Sequence, residues 1–297
     1  VLFVRSTGLL TDIHHYGRSL LLSPLKPNLW RAPTDNDFGN YMHDWAKVWA
    51  QSDQNRVVES LTLMKDSPEL VKVSAKYKIY HSDNGVAATW ESIFEIFPGG
   101  DIRVRNHFLK MPNQPELPRV GMNVHLIKNY DQVEWFGRGP FENYRDRKTA
   151  AIVGRFKNKV SDHYVPYVRP QENGYKTDSK WFSLRDEDDS QGVYVVAEDQ
   201  MGFSVHHNIQ EDFIPKVKIA INSWDEEGAQ NNPHRVNTHV NDIFPRDLVS
   251  VNIDFDQMGI GGDDSWGSKT LRKYSLSGSE YRYGFWLRLV KSEEVLY

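Results

Sequence analysis

A chain of 297 residues, 39% hydrophobic and 26% charged, has the composition of an ordinary globular protein rather than a disordered tail or a fibre, and its length allows one large unit or two small ones. The formal net charge of −4 gives no electrostatic reason to expect a nucleic acid or an anionic membrane as partner, and the absence of cysteine excludes disulfides, thiol nucleophiles and thiolate metal sites. No window approaches the roughly 18 apolar residues of a helical membrane span, so a soluble chain is expected, in a compartment left open.

Taken in order, the chain opens at Val1 in VLFVRSTGLL, which reads as the middle of a strand, so the start is expected to lie inside a longer gene product. In MHDWAKVWAQ (42–51), Trp45, Val48 and Trp49 recur at helical spacing with charges opposite, which predicts a short amphipathic helix. VKVSAKYKIY (71–80), ATWESIFEIF (88–97), DIRVRNHFLK (101–110) and YRYGFWLRLV (281–290) alternate apolar and polar residues, the pattern of half-buried strands. Turn signals stand at DNG (83–85), at PGGD (98–101) and at GSE following SLS near 278, each suited to a tight antiparallel reversal. The clearest hairpin is ATWESIFEIF-PGGD-IRVRNHFLK, with Gly99 and Gly100 expected to adopt backbone angles other residues resist. The three prolines of MPNQPELPR (111–119) predict a stiff surface crossover. No repeat or Gly/Ser linker interrupts the pattern, so residues 1–297 are expected to form a single all-β unit, a large antiparallel sandwich.

Several enzyme classes lose support because GxSxG, HExxH, GxGxxG and GxxxxGK motifs are missing from the sequence. DNDFGN (35–40) and DEDDSQG (186–192) lack the ligand spacing and terminal Glu of a calcium loop. His14–His15 and His206–His207 point to opposite strand faces and are expected to be structural. Glycoside hydrolysis needs two carboxyl groups flanking the scissile bond. Asp35, Asp37, Glu142, Glu172, Asp263 and Asp264 are candidates, but each sits beside Asn, Gly or Pro in turn-like context, where carboxylates commonly cap backbone amides. The 9 Trp, 14 Tyr and 14 Phe suit either sugar stacking or a sandwich core.

Four segments are more specific: LWRAPTDNDFG (29–39), EWFGRGPFENYRDR (134–147), YVPYVRPQENG (164–174) and MGIGGDDSWG (258–267). In order and separation they resemble signatures of the C-terminal domain of family 2 β-galactosidases, a likeness that runs over essentially the whole chain. The resemblance implies a large antiparallel supersandwich of the galactose mutarotase-like type, and catalytic glutamates in a preceding (β/α)₈ barrel that this chain lacks. The isolated chain is then expected to be inactive, with no catalytic residue, metal or cofactor of its own. Trp266 aligns with the family's tryptophan that offers a stacking face to the sugar, mainly on the aglycone side, on a Gly-rich loop braced by Asp263 and Asp264. Gly39, Asn40 and Tyr41 fall where related enzymes carry a loop that borders the active site and moves. Trp30, Arg31, Asp35, Asn36 and Asp37 read as a structural anchor, Arg31 pairing with a carboxylate. The implied partners are the remaining domains of a β-galactosidase, itself a homo-oligomer, and a β-galactoside. Three other readings stay open. A free-standing carbohydrate-binding or mutarotase-like module would need an acid–base pair that His125, His206 and His239 do not mark. A separately encoded small subunit would be a whole polypeptide. A purely structural interaction domain would bury Trp266.

Overall fold

Alternation of apolar and polar residues produces strands where it predicts them. A computed structural model describes all residues except 16, 83, 187–190, 215–238, 265 and 292–297; Asp83 of the predicted DNG turn and the acidic run 187–190 thus lie outside the described residues. Five short strands come first: β1 (Leu2–Phe3), β2 (Leu10–Asp12), β3 (His14–His15), β4 (Arg18–Ser19) and β5 (Lys26–Asn28). Three single-turn helices follow, α1 (Asp35–Gly39), α2 (Met42–Trp45) and α3 (Lys47–Ala50). A meander then runs through β6 (Arg56–Ser67), β7 (Leu70–Tyr80), β8 (Val86–Ile96) and β9 (Ile102–Lys110). The remaining strands are β10 (Arg119–Ile127), β11 (Gln132–Gly139), β12 (Ile152–Lys159), β13 (Lys176–Arg185), β14 (Gln191–His206), β15 (Leu248–Gln257) and β16 (Glu280–Lys291).

The main sheet runs β12-β11-β13-β14-β16-β9-β8-β7-β6, all pairings antiparallel, and it branches at β14. Gln191–Ala197 of β14 pair with β16, whereas Gly202–His206 pair with β15, which pairs with β10, which in turn holds β5. The branch folds the sheet over itself. Val193 and Val195 of β14 and Leu287 and Leu289 of β16 face Val124 and Leu126 of β10 and Val251 and Ile253 of β15 across one apolar seam. Each such side chain removed from water contributes about 1.5–3 kcal/mol, so the seam is the main cohesive element between the layers.

Three local expectations are corrected. The segment 42–51 is not one helix: Ala46, wholly buried between Met42 and Trp49, breaks it into α2 and α3 as the backbone dips towards the core. Of the two glycines in the β8–β9 turn, only Gly100 has a positive φ, +91°. GSE near 278 does not close a hairpin, because the residues before β16 form a 3-10 turn (Arg272–Tyr274) and a bridge from Leu276 to Leu117. The proline-rich crossover is pinned as expected: Met111 N–H donates to the Ala87 carbonyl, and Lys110 Nζ to the Pro115 carbonyl at 3.2 Å.

Candidate functional site

The four sequence motifs lie far apart along the chain, and buried polar groups tie them together. At the start of α1, Thr34 caps the helix, its hydroxyl accepting from Asp37 N–H at 3.2 Å while Asp37 accepts from Thr34 N–H at 3.0 Å. Both Asp37 oxygens also take the Arg31 guanidinium, at 3.0 and 3.1 Å. The remaining Arg31 donors reach the carbonyls of Met258 (2.6 Å) and Gly259 (3.1 Å), so this buried pair fastens α1 to the beginning of the 258–270 loop. The expected pairing of Arg31 with a carboxylate is therefore present, with Asp37 as its partner.

Asp146, from the second motif, accepts from the backbone N–H of Ile260 (3.0 Å) and Gly261 (2.8 Å) and from the Thr270 hydroxyl (3.1 Å), pinning both ends of the loop. Asp35 meets the third motif through Arg169 (3.2 Å) and Gln171 (3.2 Å). Glu142 is almost fully buried and accepts from Arg147, from the Tyr167 hydroxyl and from Gly174 N–H, which joins the second motif to the third. Glu172 accepts from Arg119 (3.1 Å) and Gln257 (2.9 Å) deeper in the fold. In the amide orientation that satisfies its neighbours, Asn36 accepts from Gly262 N–H at 2.8 Å and donates to the Asp264 carbonyl at 3.2 Å.

On this frame the loop turns outward. Gly261, Gly262 and Gly267 have positive φ, and a Cβ on Gly39 would lie 2.7 Å from the Trp266 carbonyl oxygen, so α1 and the loop touch backbone to backbone. Asp264 accepts from Trp266 N–H (2.9 Å), Ser268 N–H (3.1 Å) and the Ser268 hydroxyl (2.7 Å), and these bonds, the Ser268 hydroxyl first, hold its carboxyl below the ordinary range. Asp263 makes no such bond among the described residues, so Asp264 alone braces the turn. The Trp266 side chain stands 85% exposed on this chain. Gly39, Asn40 and Tyr41 form a tight turn between α1 and α2 rather than an open loop: Asn40 Oδ1 accepts from Trp45 Nε1 at 3.1 Å, and Tyr41 adopts φ of 60° with its ring half exposed. Trp30 is buried, its carbonyl held by Arg119 at 3.0 Å.

Large apolar side chains in or beside the motifs face solvent: Tyr41 beside the first, Phe136 and Phe141 in the second, Val168 in the third and Trp266 in the fourth, exposed by 50, 38, 52, 77 and 85%. The arrangement presents flat apolar faces, while the carboxylates behind them are engaged by guanidinium groups, hydroxyls and backbone amides. The predicted acids thus divide. Asp35, Asp37, Glu142, Glu172 and Asp264 are structural ties, and Asp263 makes no tie among the described residues. His206 and His207 have separate partners, His206 Nε2 the Asn173 carbonyl (3.0 Å) and His207 the Leu248 carbonyl (2.8 Å) and Asp131 (2.9 Å).

Sequence reading missed the layer beneath the motifs. Arg119 lies 3.0 Å from Asp254 without alignment for a hydrogen bond, and burial pushes the Asp254 carboxyl up to about 8. Burial likewise raises the Tyr144 and Tyr175 hydroxyls and lowers Lys176 to about 8. These contacts join residues dozens to more than a hundred positions apart, for which no local signal exists. Asp146 lay inside a recognised motif and was detectable in principle as an acid beside a glycine-rich partner loop.

The family profile described as Beta galactosidase small chain matches residues 1–287. A beta-galactosidase of Priestia megaterium is 29% identical over 93% of the chain and 24% of its own length. Those of Halalkalibacterium halodurans (31% identical, 94% of the chain, 25% of the relative) and Vibrio cholerae serotype O1 (30%, 98%, 26%) are similar. The chain therefore spans about a quarter of the curated relatives it matches. Among solved structures, a galactose 1-epimerase from Lactobacillus acidophilus aligns with a TM-score of 0.46 and 9% identity, over 95% of this chain and 88% of that one.

Proposed function

From the premise that the chain belongs to the beta galactosidase small chain family, we propose that it works as one part of a β-galactosidase and completes the wall of a sugar site formed with the rest of that enzyme. The observation that carries this reading is Trp266: an indole 85% exposed, on a loop that residues of the first two motifs hold in place. An exposed indole on a mobile loop would lose its orientation; here Asp146, Arg31, Asn36 and Asp264 fix the backbone on both sides, so the ring is preorganised to stack on the C–H face of a pyranose. The carboxylates that cleave the glycosidic bond belong, in this reading, to the remaining three quarters of the enzyme, because Asp35, Asp37, Glu142, Glu172 and Asp264 of the four motifs are engaged in holding the frame. Tyr41, Phe141 and Val168, large apolar side chains left in solvent on this chain, are the residues the other domains would cover. The turn Gly39–Tyr41 borders the site because it touches the Trp266 backbone.

The test is hydrolysis of a chromogenic galactoside by this chain alone and by the chain mixed with the barrel-containing remainder of its parent. Activity is expected only in the mixture, and Trp266→Ala is expected to lower kcat/KM by about tenfold, the equivalent of ~1.4 kcal/mol of stacking. Turnover by the chain alone, or a mixture indifferent to Trp266→Ala, would overturn the reading.

A further inference from the structure

In an antiparallel sheet with one face in the core, the other face is ordinarily wet. On β10, β15 and β14 the core face is as expected: Met122, Val124 and Leu126 align with Ile253, Val251 and Val249, and Phe203 and Val205 continue the rows. The opposite face is polar yet also covered. Its rows are Asn123–Asn252–Ser204 and His125–Ser250–His206, and all of these but His125 are at most 7% exposed. Burying a polar row costs free energy unless its groups are bonded, so a covered polar face calls for a reason.

Part of the reason is internal. Asn28 Nδ2 donates to Asn252 Oδ1 (3.0 Å) and Gln210 Oε1 (3.2 Å), Asn123 Nδ2 to Asn252 Oδ1 (2.9 Å), and Asn252 Nδ2 to Ser204 Oγ (3.0 Å). Gln210 Oε1 also accepts from Arg119 at 2.9 Å, which locks the network to the charged layer behind it. Network bonds of this kind rigidify the groups that make them.

The network floors a small open cavity of about 80 Å³ between β5, β10, α3 and the turn Gln210–Phe213. Several polar atoms of its lining residues take up no bond among the described residues: Asn123 Oδ1, Gln210 Nε2, the Ser52 hydroxyl and both ring nitrogens of His125. Burial, with the charges of Lys26 and Arg246, pushes the His125 ring down to about 4, so near neutrality it offers one donor and one acceptor. The cation at the rim is already neutralised, Lys26 lying 2.5 Å from Asp53. The indole of Trp30 adds an apolar wall.

Uncommitted neutral donors and acceptors beside an indole, with the Glu211 carboxylate in the lining as a further acceptor, match a small, uncharged, hydroxyl-rich ring. We propose that this cavity is a monosaccharide-binding site, distinct from the Trp266 loop. The proposal does not depend on the role given to Trp266, and its test separates the two.

The experiment is saturation-transfer NMR on this chain with D-galactose and D-glucose. Transfer to at least one sugar is expected, it persists in Trp266→Ala, and His125→Ala weakens the apparent affinity by about tenfold, as loss of a ligand hydrogen bond does. Circular dichroism checks that His125→Ala is folded; if it is not, Ser52→Ala serves with the same expected direction. Absence of transfer to either sugar, or transfer that the folded cavity variant leaves unchanged, would overturn the proposal.

Discussion

Gly267 shows how much one residue decides. Its φ of +105° is a conformation that side-chain-bearing residues avoid, and an added Cβ would run into the backbone of Gly39. Gly267→Ala therefore has to part α1 from the loop or distort both, at a local cost of about 1–3 kcal/mol. Because the clash sits at an exposed loop, it is expected to appear as local opening: hydrogen exchange over 258–270 rises about tenfold while the unfolding midpoint hardly moves. Exchange equal to that of the parent sequence would show that the backbone contact does not restrain the loop.

At the scale of the element, α1 has five residues and little helical stability of its own. It is held by the Thr34 cap and by Arg31, whose guanidinium spans Asp37 and the carbonyls of Met258 and Gly259. Arg31→Met would leave a buried carboxylate without its countercharge and two carbonyls without donors, a loss of ~3–5 kcal/mol. Urea unfolding measures it. The double variant Arg31→Met/Asp37→Leu is expected to recover part of that loss, because the unpaired charge goes as well; a loss in the double variant equal to the sum of the two single losses would show that the pair is not coupled.

Over the whole molecule, buried titratable groups set opposing responses to pH. Burial lowers His206 from its ordinary 6.5 to about 4, so below 6.5 the unfolded chain binds a proton that the folded chain refuses. The stability linked to this ring is lost as pH falls from about 6.5 towards 4. Asp254, raised by burial to about 8, works the other way: its contribution is complete below the ordinary carboxylate range and is lost as pH rises through 8. His206→Asn is expected to cut the difference in unfolding free energy between pH 7.5 and 4.5 by ~2 kcal/mol, read by urea titration at both pH values. An unchanged difference would mean that the ring is not held neutral in the fold.

The strands, the β8–β9 hairpin and the family follow from the sequence alone, because period-two alternation, a Gly-Gly turn and four long motifs are local signals. The same locality marked Trp266 and the Asp-rich turns. Tertiary structure decided what the motifs do together: that Asp37, Asp146, Glu142 and Asp264 hold a frame, that Asp263 does not, and that one predicted helix breaks at Ala46. It alone revealed the covered polar face of β10, β15 and β14, whose rows are set by strand register. Register and burial depend on pairing between residues far apart in the chain, and no single stretch of sequence encodes a partner that distant.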